Sequence, residues 1–491
     1  MWDVVVVGAG LGGLSAAAVL ARRGLRVAVF EKNDQVGGRC GRLALGGCRL
    51  DTGPTLVLMP GLIAEALAAA DPSAFGRLDL RRVEPAYRLF FPDGFSLTLG
   101  SDLAGLKPQL ETLEPGSFGR LLEFLGRAHR FYRVAVDKFI RRNFLSFLEY
   151  FGPQNWAAFL EVGLLFNHYR WVGRFFKDPR LRAAFTFQDV YLGMSPFAAP
   201  ATYALLTAAE ITEGLWFPPG GVYRLVEVLV DLCRRLGVAL FPGCPVERIP
   251  VDGRRVVGVV LEGGKAIPAR AVVANADLPY IYSTLLPPGA ETKRLLRLDY
   301  SCSVVAFYWR LEGGLEDLGP HNVFFGPEYQ TAFDQVFRQR RLPDAPSFYV
   351  HLPARIDPGL AAGGAEPAMV LVPTGRLDGG PRDLTAEAHR ARRAVLDRLG
   401  RRVEERIRDE VVRTPADWQR LYNLTFGAAF GLGHRPAQMG YLRPSNRHPR
   451  YPNLYFAGAS THPGTGVPLT LLSGRLAAER LLSDFKFGSD R

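Results

Sequence analysis

The sequence predicts an α/β protein: a largely parallel sheet flanked by helices, with a second, α+β domain inserted into it. Three observations carry that reading. The chain opens on a β-branched run, Asp3 to Val7, that passes through a glycine-rich turn into an apolar helix. A strand, a glycine turn and a helix recur at the other end, from Tyr451 to about Phe485. Between them, from Ser101 to about Glu210, the composition changes to helical segments dense in aromatic and basic residues.

The opening run is apolar on both faces, as a strand inside a parallel sheet must be. It enters Gly8-Ala9-Gly10-Leu11-Gly12-Gly13, where Gly8, Gly10 and Gly13 have G-x-G-x-x-G spacing. The following helix carries Leu14, Ala17, Ala18 and Ala21 on one stripe and ends at Gly24, a C-terminal cap. A second strand, Arg26 to Phe30, ends at Glu31, 23 positions after Gly8. These are the parts of a Rossmann-like dinucleotide-binding domain. Gly8 makes the tight turn, Gly10 admits a pyrophosphate to the backbone and Gly13 packs helix on strand. The helix N-terminus faces the phosphates, and Glu31 accepts from a ribose hydroxyl. Leu11, Gly12 and Lys32 complete this candidate contact set. Gly37-Gly38-Arg39 follows, its arginine within reach of the same pyrophosphate as a planar charged donor. Asp51-Thr52-Gly53-Pro54-Thr55 comes next.

Further along, Leu56 to Ala70 reads as a helix and Leu89 to Leu99 as a hairpin turning at Asp93-Gly94. The aromatic tract interleaves Phe139, Phe144, Phe147, Tyr150, Phe151, Trp156 and Phe159 with Arg130, Arg133, Lys138, Arg141 and Arg142. Amphipathic helices of that kind suit an interfacial membrane patch or the lining of an apolar channel, and also suit an ordinary core with solvated arginines. Gly214 to Gly221 marks a boundary. After it, a helix from Val222 to Leu236 and strands at 238–241, 246–249, 256–261 and 271–274 return the chain to the first domain. The segment 295–413 supplies strands at 303–309, 347–351 and 368–373 and a charged helix from Thr385 to about Val411. The first domain is thus expected from residues 1–100, 212–295 and 415–491, and the second from 101–211 and 296–414.

Composition narrows the function. With 48% hydrophobic and 22% charged residues, the chain can bury a large core. A net charge of +12 points to an anionic partner surface. No nucleic-acid motif is visible, so a membrane surface is the expected partner rather than nucleic acid. The five cysteines form no C-x-x-C pair and are read as reduced, in a cytoplasmic protein without a metal cluster. The first strand begins at residue 3, leaving no room for a signal peptide. The uncharged window Val190 to Ala209 contains Gly193, Pro196 and Pro200, which disqualify it as a membrane span; attachment is expected to be peripheral.

Two resemblances sharpen the reading. The spacing Glu31-x5-Gly37-Gly38-Arg39 resembles the two-dinucleotide-binding-domain flavoproteins, amine oxidases and carotenoid desaturases among them, and implies FAD as cofactor. In those proteins a strand running into the equivalent of Ala274-Asn275-Ala276-Asp277 closes the adenine half-site, with Val246 passing the adenine. At the C-terminus, Gly458 and Ala459 end a strand, and Thr465-Gly466-Val467-Pro468 opens the last helix with proline in its preferred first turn. A helix N-terminus there would face the negative charge of a reduced flavin. The run Phe456 to Pro468 is similar to the C-terminal signature of the bacterial and fungal phytoene desaturase family. Trp216 to Gly221, Pro346 to Pro353 and Arg443 to Arg447 match the same family in place and character. This resemblance implies a long isoprenoid or carotenoid substrate, peripheral membrane attachment, hydride transfer from an allylic carbon to flavin N5, loss of a proton from the neighbouring carbon, and reoxidation by oxygen or a quinone. Candidates for the proton acceptor are His462 in the C-terminal turn and Glu213 before the Trp-Phe-Pro-Pro loop; each also reads as structural, a turn cap and a helix-end carboxylate. A carotene isomerase, a carotenoid end-group oxidase or ketolase, and a prenyl-binding carrier remain as alternatives, the carrier disfavoured by the intact Gly37-Gly38-Arg39 and Thr465-Gly466. C30 and C40 substrates stay open.

Overall fold

Val4 to Val7 pair in parallel register with Val27–Phe30 on one side and Ala271 to Ala274 on the other, so this first strand lies at the middle of a sheet. Its alternate side chains feed two cores: Val4 and Val6 join one cluster, Val5 and Val7 the other. That explains a continuous valine run in place of an alternating one. A computed structural model describes residues 1–164 and 166–485, and the sheet has seven strands. Its parallel part runs Ala239–Phe241, Val27–Phe30, Trp2–Val7, Ala266–Ala274, Leu454–Phe456. The early part of the long strand Ala266–Ala274 pairs antiparallel with Gly258–Leu261, which pairs with Val246–Arg248.

Parallel neighbours need crossovers. The helix Leu11–Arg22 supplies the first and Arg224–Arg235 leads into Ala239–Phe241. Leu11–Arg22 is buried along nearly its whole length and packs against both Arg224–Arg235 and the final helix, Val467–Asp484. The crossing with the final helix is close. A Cβ on Gly474 would stand 2.1 Å from the Gly12 carbonyl, and Ser15 Oγ donates to Leu471 O at 2.8 Å. The N-terminal dinucleotide helix and the C-terminal helix are therefore locked side by side.

A second seven-stranded sheet has the order Ile407–Arg413, Ser303–Glu312, Ala365–Thr374, Phe348–His351, His321–Phe324, Tyr87–Phe90, Ser96–Leu99. The turn at Asp93-Gly94 forms as expected, with Asp93 accepting from Phe95 N. The sequence reading grouped this hairpin with the first domain, but Tyr87–Phe90 hydrogen-bonds in parallel to His321–Phe324 and so belongs to the second sheet. Two other expectations are corrected. The helix expected from Leu56 spans Pro60–Ala68, because Val57 is spent on a reciprocal backbone pair with Trp216 and Pro60 opens the first turn. The long charged helix breaks at Gly400, where φ is +95°. Ile407–Arg413 is instead an edge strand whose positions alternate half-buried and exposed. Within the aromatic tract, Ser117–Val134 packs against Ala204–Thr212, and Leu103–Leu113 meets Ser96–Leu99 of this second sheet.

Candidate active site

The glycine turn is shaped by Asn275, which the sequence reading placed at the adenine half-site. Asn275 N donates to Val7 O at 2.7 Å and its Nδ2 to Gly8 O at 3.2 Å. A Cβ on Gly10 would meet Asn275 Nδ2 at 2.8 Å, on Gly12 would meet Asn275 Oδ1 at 2.7 Å, and on Gly13 would meet Gly8 O at 2.1 Å. Gly13 thus packs helix on strand as expected, while Gly10 and Gly12 are needed as much by Asn275 as by any ligand. Gly8 has φ +94°, which favours glycine. Glu31 is buried. Its Oε2 accepts from Ala9 N at 2.8 Å and its Oε1 from Asn33 N at 3.0 Å, so it also fastens the turn. Lys32 extends to Arg420 O and Asn423 Oδ1, tying the rim to the C-terminal region.

Arg39 reaches in from the next loop. Its Nη1 donates to Ala429 O at 3.1 Å, and desolvation, opposed by nearby Asp277, lowers its pKa. A Cβ on Gly53 would meet Arg39 O at 1.9 Å, which explains the glycine in Thr52-Gly53-Pro54-Thr55. Asp51, just before, has a structural task. It accepts from Val222 N at 2.7 Å and Tyr223 N at 2.9 Å at the start of the helix Arg224–Arg235; burial nonetheless raises its pKa to about 7.

The C-terminal turn is held by three side chains. Arg443, fully buried, donates to the carbonyls of Leu432, Gly433, Gln438, Ala459 and Thr461, and desolvation lowers its pKa to about 10. Asn446 donates to Phe456 O at 3.1 Å and His462 O at 3.0 Å. His434 Nε2 accepts from Thr465 N at 3.1 Å, and burial with the neighbouring Arg443 holds this ring neutral. His462 packs the turn against the aromatic tract: its Nε2 hydrogen-bonds to Arg142 O at 2.9 Å and its pKa is pushed down to about 4, chiefly by desolvation. Gly466, at φ +115°, precedes the helix Val467–Asp484. A Cβ there would meet nothing within 4 Å.

These segments converge on one cavity of about 600 Å³. Gly8, Gly10, Leu11, Glu31, Lys32, Gly38, Arg39, Thr52, Gly53, Pro54, Thr55, Val246 and Asn275 line it, and so do Gly458, Ala459, His462, Thr465, Gly466, Val467 and Pro468. Gly12 and Gly13 do not line it and act behind the wall. Glu213, put forward as a substrate-facing acid, does not line it either; its carboxylate lies near the phenol of Tyr132 and, after burial, helps to raise that phenol's pKa. The rest of the wall is apolar and aromatic, drawn from the helical tract and the second sheet: Phe139, Tyr150, Leu206, Phe325, Tyr349 and Met369 are representative. Thr55 Oγ1 meets Tyr349 Oη at 2.8 Å, so the two units touch across the cavity. Among the described residues, no group of three or more His, Cys, Asp or Glu is placed to hold a metal.

The cavity residues fit FAD. The glycine turn presents a helix N-terminus for a pyrophosphate, Arg39 opens a guanidinium onto the same space, and the second helix N-terminus stands behind an open glycine, Gly466. The wider comparison agrees. A family model described as flavin containing amine oxidoreductase matches residues 11–482. The chain is 44% identical over 488 residues to the zeta-carotene-forming phytoene desaturase of Myxococcus xanthus, covering 98% of this chain and 94% of that protein. It is 38% identical to a phytoene desaturase of Fusarium fujikuroi, covering 100% and 90%. An oxidoreductase from Methanosarcina mazei has the same fold, with TM-score 0.65 at 16% identity over 97% of this chain and 99% of that one. The chain belongs to the flavin-containing amine oxidoreductase family, among its carotenoid desaturases.

Arg443, Asn446 and His434 were missed as site-shaping residues. Arg443 and Asn446 lay inside a run already noted for its family character, and arginine followed by proline and asparagine in an otherwise irregular segment was the available signal.

Proposed function

We propose that this protein is an FAD-dependent desaturase that introduces double bonds into a phytoene-like polyisoprenoid. One observation carries the reading: a single cavity takes its walls from both halves of a dinucleotide cradle and from an extensive apolar, aromatic surface. A hydrocarbon chain offers no polar handle, so shape and water exclusion must position it. Bound FAD supplies hydride acceptance at N5. The protein's part is to hold the pyrophosphate at Gly8–Gly13 and Arg39, to hold a ribose at Glu31, and to aim the N-terminus of Val467–Asp484 at developing negative charge. Arg443, Asn446 and His434 fix the turn that does this.

Membrane attachment belongs to the same proposal. Among the described residues no helix is long and apolar enough to cross a membrane. The short helices Phe147–Phe151 and Trp156–Glu161 have two sides. Tyr150 and Phe159 line the cavity, while Leu145, Phe147, Leu148 and Trp156 are exposed, Leu148 by 77% and Trp156 by 62%. Arg142 and Arg174 stand over Phe144 and Phe166 beside them. We read this face as a monotopic patch through which an apolar substrate passes from lipid to cavity. Oxygen or a membrane quinone then reoxidises the enzyme.

Expression in cells that accumulate phytoene, and separately in cells that accumulate diapophytoene, tests the reading. Added double bonds by mass in either extract support it and name the chain length. Isomers at constant mass favour an isomerase, a gain of oxygen favours an end-group oxidase or ketolase, and protein without bound flavin favours a carrier.

A further inference from the structure

One buried ionisable network borders the cavity and takes no part in holding a dinucleotide. Glu210 lies in the helix Ala204–Thr212, four residues after the cavity-lining Leu206 and so on the same face, and it is fully buried. Its Oε2 accepts from Gln188 Nε2 at 2.9 Å and its Oε1 from Tyr87 Oη at 3.2 Å. Tyr191 Oη hydrogen-bonds to Tyr87 Oη, and Tyr191 lines the cavity. An ionised carboxylate only accepts, so Tyr87 donates to Glu210 and the Tyr87 oxygen accepts from Tyr191. The donors therefore point in one direction, from the cavity wall to Glu210, and the Tyr191 oxygen keeps an unused lone pair.

Desaturation leaves the substrate with a proton to lose once the hydride and its two electrons are taken up by bound flavin. The other groups at the wall are poorly suited to receive it. Asp277 is occupied by Ser460 and Thr425, and His434 Nε2 by Thr465 N. His462 has a free Nδ1, yet burial and Arg443 disfavour its protonated form. We propose that Tyr191, Tyr87 and Glu210 form the proton exit of the desaturation, an inference that rests on the desaturase reading above. The C–H bond next to the hydride-donating carbon breaks and its electron pair becomes the new π bond. The proton passes to Tyr191 Oη, the Tyr191 proton to Tyr87 Oη, and the Tyr87 proton to Glu210 Oε1. Burial holds the Glu210 carboxyl up to about 7, against the lowering effect of its hydrogen bonds, so it both takes and releases a proton near neutrality.

The surroundings leave Glu210 as the group that titrates here. It faces Tyr87, Tyr191 and Gln188. The His321 ring lies tilted beside Tyr87, with ring centroids 5.7 Å apart, and stays neutral through burial and the neighbouring His351. Asp189 turns away to His168 at 2.8 Å. The helix Ser117–Val134, packed on Ala204–Thr212, exposes Glu123, Arg127, Arg130 and Arg133 to solvent.

The test uses FAD-loaded protein and single turnovers on the desaturated substrate between pH 5.5 and 8.5, alongside infrared titration of substrate-free protein. In the unmodified enzyme, product formation should rise with pH to a plateau above about 7, and a protonated-carboxyl band should titrate over the same range. Glu210→Gln should remove one component of that band and leave the component of Asp51, which burial raises likewise. Glu210→Gln and Tyr191→Phe should each slow product formation on the order of 10²-fold and flatten the profile while keeping FAD bound. Tyr191→Phe, which removes one oxygen at the wall, decides the matter if Glu210→Gln does not fold. A variant within threefold of the unmodified enzyme with an unchanged profile overturns the relay alone. An unmodified enzyme that turns over no isoprenoid overturns the desaturase reading and the relay with it.

Discussion

Replacing Arg39 by alanine tests the cofactor cradle at its most specific point. The guanidinium carries five N–H donors; one goes to Ala429 O at 3.1 Å, and the side chain opens on the cavity. A pyrophosphate there would take two charge-assisted bonds of roughly 1.5 kcal/mol each. The contact to Ala429 exists with or without ligand and largely cancels in the binding equilibrium. The expected loss is therefore about 3 kcal/mol, on the order of 10²-fold in Kd. Titration of deflavinated protein with FAD, followed by flavin fluorescence, measures it. Arg39→Lys keeps the charge and loses the fork, and should fall between the two. A Kd for Arg39→Ala within threefold of the unmodified protein would refute the assignment. Arg39 would then serve only to hold the Ala429 loop, visible as a lower thermal midpoint without loss of affinity.

Three further outcomes are expected. Arg443→Met strips five carbonyls of their shared donor and should cost about 3–5 kcal/mol, seen as a lower thermal midpoint and loss of retained flavin. Leu148→Glu with Trp156→Glu should reduce co-sedimentation with anionic vesicles by at least about tenfold, since each apolar side chain contributes roughly 1.5–3 kcal/mol when buried; unchanged sedimentation would remove the membrane face. Glu210 has its carboxyl raised from 4.5 to about 7 in the folded protein, so the stability it contributes is complete below pH 4.5 and is lost as pH rises through about 7. The loss is at most about 3 kcal/mol. Thermal midpoints between pH 5.5 and 8.5 should fall less in Glu210→Gln than in the unmodified protein. Asp51, raised likewise, keeps its own share in both.

The parts of the molecule legible in the sequence are those whose chemistry is written over short spans. A strand, the spacing of Gly8, Gly10 and Gly13, and an acid at Glu31 imply one another locally, because a pyrophosphate on a helix N-terminus requires them in that order. The same holds for Gly458 to Pro468, where turn and helix start are contiguous. Pairings between distant segments were decided by the tertiary structure. The hairpin Tyr87–Leu99 could complete either sheet, and only the parallel partner His321–Phe324 settles which. Asn275 and Arg443 shape turns far from them in sequence, through donors aimed at backbone carbonyls that leave no periodic trace. Glu210 stands out in sequence only as the acid that ends a long uncharged run. Its meeting with Tyr87 and Tyr191 comes from a strand, a short 3-10 helix and an α-helix packed together, an arrangement set by burial of the whole core.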